Sequence, residues 1–167
     1  MLVELVTPRL VLREFSPQEL DALARLDAEE TTRGFGWAGG VDRDGVAAAL
    51  ERWLGLYPRG LGQLAMVHRE DGALIGHCGL EPADGGRILL SYALSKEYWC
   101  MGLAPEACRE VLRYGFEELG LEEIWSHTGA HRRAWRGMME RLGMELREEF
   151  GGMVRYAVLR ERFREAS

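Results

Sequence analysis

The chain has no asparagine, only two glutamines (Gln18 and Gln63) and a single lysine, Lys96, so arginine carries nearly all of its positive charge. A shortage of thermolabile amides marks proteins that work at high temperature; a strong nucleotide bias in the genome produces the same usage, and the two origins fit equally. Cysteine is scarce as well. Cys78, Cys100 and Cys108 are odd in number and lie in apolar segments, which excludes a disulfide framework and points to free thiols in a reducing compartment. No two of them have the close spacing of a zinc ribbon or knuckle, so no metal is expected. There is no apolar run of membrane-spanning length and no basic-then-apolar leader, so a soluble, cytoplasmic protein without a membrane partner is expected. Positive charge is in deficit too. A formal net charge of -6 argues against a nucleic-acid partner and favours a cationic ligand.

What is present suffices for one domain. The 167 residues are 47% apolar, enough to bury one core without crosslinks, and no repeat or linker divides them, so residues 1–167 are expected to form one unit. Residues 9–15 alternate as a strand, and Ser16-Pro17 opens a helix through Leu20, Leu23 and Leu26. A glycine-rich loop at 34–40 holds Phe35 and Trp37, which we read as the border of an acceptor pocket. Residues 46–57 return to helical spacing, where Trp53 and Tyr57 read as core. Strands are expected at 64–68, 74–80 and 88–94, joined by turns at Glu70-Asp71-Gly72 and Asp84-Gly85-Gly86 as an antiparallel meander. A helix at 105–119 stopped by Gly120, a strand at 123–128 and a helix at 134–142 stopped by Gly143 follow. Residues 145–150 and 153–159 flank Gly151-Gly152 as a terminal hairpin whose edge offers a surface for a homodimer. The polar tail at 160–167 is expected to fray. The fold class is α/β (α+β), a mixed and mostly antiparallel sheet with helices on both faces.

The stretch from Leu94 to Ala107 is the most informative, because an apolar strand ends in a glycine-bearing loop that opens directly into a helix. The first amides of a helix lack internal acceptors and carry the positive end of its dipole, so they favour a phosphate in front of them. Gly102 lets the backbone approach closely, Ala104 keeps the next position small, and Pro105 costs nothing in a first turn. A pyrophosphate fits this cradle. Three spaced glycines after the first strand of a parallel sheet are missing, which sets a dinucleotide-binding domain aside.

Across nearly the whole chain these features resemble the GNAT superfamily of N-acetyltransferases, in particular the branch of the ribosomal-protein N-terminal acetyltransferases. Thr7-Pro8-Arg9-Leu10-Val11-Leu12-Arg13 resembles that branch's opening strand. Trp99-Cys100-Met101-Gly102-Leu103-Ala104 resembles its cofactor loop, where Trp in the first place is usual, and Arg141-Leu142-Gly143-Met144 resembles its closing helix. The resemblance implies an acyl-CoA N-acyltransferase fold, acetyl-CoA as donor without a metal, and a small-molecule or peptide amine as acceptor. It also implies that the loop amides from Cys100 through Met101, Gly102 and Leu103 to Ala104 bind the pyrophosphate. The preceding strand around Tyr92, Ala93 and Leu94 would hold the pantetheine, and Trp99 would open the loop.

Several positions depart from the family pattern. The Asn and Ser of the family's following helix fall on Arg132 and Trp135, or on His131 and Ala134 in a neighbouring register, and neither choice restores the pair. A strand glutamate falls on Leu89, and a basic loop residue falls on Met101, for which Arg132 or Arg133 could compensate at the adenosine phosphates. No general acid replaces the serine. For the base, His127 is the first candidate, with Glu81 and His77 next; the competing reading of each histidine is a satisfied structural residue. Cys100, near a helix N-terminus, reads either as a reactive thiol or as loop packing. The runner-up function is a noncatalytic acyl-CoA-binding relative acting as a sensor or regulatory protein.

Overall fold

The computed structural model describes residues 2–28 and 42–166, so the glycine-rich loop at 34–40, with Phe35 and Trp37, lies outside the described residues. In chain order the elements are β1 (Glu4–Val6), β2 (Leu10–Arg13), α1 (Leu20–Ala28), α2 (Arg43–Leu56), β3 (Gly62–His68), β4 (Leu74–Pro82) and β5 (Ile88–Leu94). They continue as α3 (Leu103–Glu117), β6 (Glu123–Gly129), α4 (Arg133–Arg141), β7 (Glu145–Phe150), β8 (Met153–Leu159) and α5 (Arg160–Ala166). The described strands form one eight-stranded sheet in the order β1-β2-β3-β4-β5-β6-β8-β7. Its pairs are antiparallel except β5 with β6, which run parallel because α3 carries the chain across between them. This is the mixed, mostly antiparallel sheet expected above.

Side-chain alternation divides the sheet into two faces. Cys78 and Tyr92 point to the face covered by α3 and α4, where the Cys78 and Cys108 sulfurs lie 3.9 Å apart and the Tyr92 ring centroid is 4.8 Å from that of Trp135. His77 and Glu81 point to the opposite face, under α2, where His77 packs 5.0 Å from the Trp53 ring and Glu81 accepts a 2.5 Å hydrogen bond from the Trp53 indole. Both faces are apolar at their centres, with Leu10, Leu12, Met66, Leu80, Leu90, Trp53 and Leu103 fully buried. α3 presses closely on the sheet at Gly115, where a Cβ would come within 2.8 Å of Ile124 Cδ1 and 2.9 Å of Leu80 Cδ1. A larger residue there would force the ends of the Ile124 and Leu80 side chains to shift.

Two segments differ from expectation. The tail does not fray but forms α5: Phe163 is buried with its ring 5.4 Å from Phe116, and Arg160 donates to the Leu121 carbonyl at 2.8 and 3.0 Å. One apolar residue in a charged run is enough to dock a short helix when a core aromatic waits for it. β1, absent from the sequence reading, is a three-residue edge strand paired with β2, too short to show a period. Among the described residues no helix is long and apolar enough to cross a membrane.

Candidate active site

The site begins where two strands part. β5 and β6 pair at one register point, Leu89 with Trp125, and one residue further the Ser126 hydroxyl donates to the Leu90 carbonyl at 2.9 Å. Beyond that tie the strands diverge. The Ser95 amide donates to the Ile75 carbonyl of the neighbouring segment at 2.8 Å, and antiparallel pairing alternates along a strand, so Ser91 and Ala93 direct their backbone groups to β4. Tyr92 and Leu94 direct theirs into the gap. Of the three strand positions expected to face the ligand, Ala93 therefore turns its amide and carbonyl towards His77 instead. At the open end Trp99, half exposed, donates from its indole to the Leu94 carbonyl at 2.8 Å.

The loop that follows turns on two left-handed residues, Cys100 at φ 62° and Gly102 at φ 78°. Gly102 is the N-cap of α3, and its carbonyl accepts the first helical bond from Glu106 at 3.3 Å. Met101 closes the turn at Trp99–Cys100, and among the described residues no protein acceptor is found for the amides of Cys100, Gly102, Leu103 and Ala104, while Pro105 has no N–H. Two contacts fasten the loop to the hairpins beside it. Arg9 donates to the Met101 carbonyl at 2.6 Å and to Glu106 at 2.8 Å, and Thr7 donates to the same carboxylate at 2.6 Å. Burial alone would raise the Glu106 carboxyl, but the bonds from Thr7 and Arg9 outweigh it and hold the group below the usual carboxylate range. On the other side the Tyr98 hydroxyl donates to Asp71 at 2.9 Å.

Gap and loop open together into a cavity of about 490 Å³. Tyr92 and Leu94 of β5, and Trp99, Cys100 and the stretch from Gly102 to Pro105, form one wall; Arg132, Ala134, Met138 and Arg141 form the other. Met101 is exposed and outside the lining. Sequence reasoning found Arg132 but missed the α4 face. The signal was there, since Ala134, Met138 and Arg141 are spaced i, i+4, i+7 on one helical stripe. Trp135, one of the two positions on which the family's serine falls, is buried against Tyr92 and fills space, and Ala134, the other, has no hydroxyl either.

The candidate bases lie on the other face of the sheet. Glu81 pairs with Leu89 of β5, which pairs with Trp125, so Glu81 and His127 share a face but are separated by two strand spacings across the sheet and two residues along β6, roughly 12 Å. They do not form a pair. His127 is half-buried, and burial together with its cross-strand neighbour Arg155 lowers its pKa, leaving it neutral. Glu81 accepts from Trp53, with Arg52 at 3.7 Å.

His77 is not available as a base. It is fully buried, its Nδ1 lies 2.9 Å from Gln63 Oε1, and Gln63 in turn donates to Ser91 at 2.9 Å. Burial pushes its pKa down to about 3 from 6.5. Between those values the unfolded chain binds a proton that the folded chain refuses, so stability present above pH 6.5 is lost as pH falls towards 3, at about 1.4 kcal/mol per pH unit. Melting curves between pH 7 and 4 check this. His77→Gln should flatten the slope by one proton, and an unchanged slope would contradict a neutral, buried His77.

The geometry agrees with what sequence comparison finds. The family pattern described as "Acetyltransferase (GNAT) domain" matches residues 9–145. The chain belongs to this GNAT family. A GNAT acetyltransferase uses acetyl-CoA, and the unpaired loop amides, the parted strands and the cavity between them fit that molecule. The chain is 34% identical over 87 residues to the FsC-acetyl coenzyme A-N(2)-transacetylase of Aspergillus fumigatus, a match covering 45% of this chain but only 37% of that protein. It is 27% identical over 124 residues to the uncharacterized N-acetyltransferase p20 of Bacillus licheniformis, covering 72% of this chain and 70% of that one. The acetyltransferase from Agrobacterium tumefaciens str. C58 shares the fold, with a TM-score of 0.81 over 95% of each chain at 23% identity. Among the described residues no cluster of three or more His, Cys, Asp or Glu side chains is arranged to hold a metal.

Proposed function

We propose that this GNAT protein transfers an acetyl group from acetyl-CoA to a primary amine by direct attack, with no covalent enzyme intermediate. The observation that carries this reading is the set of amides of Cys100, Gly102, Leu103 and Ala104, without protein acceptors among the described residues, standing where the pairing of β5 with β6 has ended. When bound, the donor supplies an activated thioester. The residues of the chain do the rest by placement. The loop amides and the dipole of α3 hold the diphosphate charge. Tyr92 and Leu94 offer backbone partners to an extended amide chain lying in the gap as a substitute strand. Held so, the donor's thioester would lie beside β5, with the amine approaching from the face that carries His127 and Glu81. Orientation supplies much of the rate enhancement.

His127, kept neutral on that side, accepts the amine proton, with Glu81 as the alternative. Neither Trp135 nor Ala134, the two positions on which the family's serine falls, offers a hydroxyl to protonate the departing thiolate. Arg132 and Arg141 on the cavity wall match the adenosine phosphates. Trp99 and the Thr7–Arg13 segment favour the ribosomal-protein branch, which makes a peptide N-terminus one acceptor class beside small amines. Acetyl-CoA turnover against a panel of peptide and small-molecule amines tests the reading. His127→Ala should lower kcat by about 100-fold or more with KM for acetyl-CoA unchanged. Tight acetyl-CoA binding with no turnover on any amine would favour the noncatalytic sensor, the reading that the buried Trp135 supports.

A further inference from the structure

Arg9 lies in the turn between β1 and β2, more than ninety residues from the loop it touches, and outside the walls of the ligand cavity. Its guanidinium makes two contacts. Nη1 donates to the Met101 carbonyl at 2.6 Å, and Nε donates to Glu106 Oε1 at 2.8 Å, while its own amide and the Thr7 hydroxyl donate to Glu106 Oε2 at 2.9 and 2.6 Å. The guanidinium stands close behind the loop, since a Cβ on Gly102 would come within 3.3 Å of Arg9 Nη2.

Two consequences follow from peptide geometry and charge. The carbonyl and N–H of a trans peptide point in opposite directions. Holding the Met101 carbonyl against Arg9 therefore turns the Gly102 N–H away from Arg9. Glu106 is also a carboxylate in the first turn of α3, at the end of the helix that would receive an anion. Left unpaired, it would oppose that anion; paired with Arg9 it is neutralised.

We propose that Arg9 is a positioning residue for the donor's diphosphate, aiming the Gly102 amide at the ligand and neutralising Glu106 at the same helix end. This rests on the acetyl-CoA reading of the cavity. Arg9 does not touch the ligand, and its effect is confined to the diphosphate end.

Calorimetric titration separates the possibilities, with acetyl-CoA and S-acetyl-pantetheine, which lacks the diphosphate, as ligands. Arg9→Met should weaken acetyl-CoA binding about 10- to 100-fold, the scale of lost charge-assisted hydrogen bonds, and change S-acetyl-pantetheine binding by less than about twofold. Adding Glu106→Gln to Arg9→Met should recover part of the loss by removing the orphaned charge. Arg9→Lys, which keeps the charge but cannot serve both acceptors, should fall between wild type and Arg9→Met, and it carries the test if Arg9→Met does not fold. If the wild type fails to bind acetyl-CoA, both the cavity reading and the role of Arg9 fall. If the wild type binds and Arg9→Met binds equally well, the role of Arg9 alone is overturned. Equal losses for both ligands would overturn it too, because a general structural defect spares neither.

Discussion

Gly102→Glu should weaken acetyl-CoA binding by about 100-fold or more while the protein stays folded. Three effects act at one position. Gly102 has φ 78°, and a side chain in that left-handed conformation costs roughly 1–2 kcal/mol. Its Cβ would press on the Arg9 guanidinium at 3.3 Å, disturbing the contact that orients the Met101 carbonyl. The new carboxylate would stand at a helix N-terminus whose unpaired amides are the proposed phosphate site, exchanging attraction for repulsion. Calorimetry with acetyl-CoA reads the loss, and a melting curve shows that the fold persists. Binding within threefold of wild type would mean that the diphosphate lies elsewhere.

Trp135→Ala should cost about 3–5 kcal/mol of stability, the range for deleting a large buried aromatic, and lower Tm by roughly 10 °C in a domain of this size. The indole is 1% exposed and packs 4.8 Å from the Tyr92 ring, on the strand that flanks the gap. It supports the cavity wall at one of the two positions on which the family's serine falls. Denaturant melts give the magnitude. A loss below 1 kcal/mol would show that Trp135 is not packed between α4 and β5 as described.

The junction from β5 through the Trp99–Gly102 loop into α3 was legible in the sequence because it is written in local signals. An apolar strand, a glycine that must adopt positive φ, a small residue and a first-turn proline occur in the order that a strand-to-helix junction requires. The meander was legible for the same reason, through alternation and turn residues. The gap was not. Whether β5 and β6 pair along their length or part after Leu90 depends on where α3 sets down β6, which no local pattern encodes. The fate of each histidine was equally non-local. His77 and His127 both sit in alternating strands, yet α2 and Trp53 seal the first, while the second is only half-buried. α5 shows how little signal a tertiary contact needs, since Phe163, with the bonds from Arg160 to Leu121, anchors seven residues that otherwise read as solvated. On α4 the information is present in the stripe of Ala134, Met138 and Arg141, which is amphipathic in the ordinary way.

Hydrogen exchange with and without acetyl-CoA tests the central claim most directly, because it reads backbone amides one segment at a time. The account predicts that acetyl-CoA slows exchange at residues 100–104 and at Leu94, and leaves the β1–β2 and β7–β8 hairpins unchanged. Saturating acetyl-CoA with no protection between Tyr92 and Ala104 would contradict it.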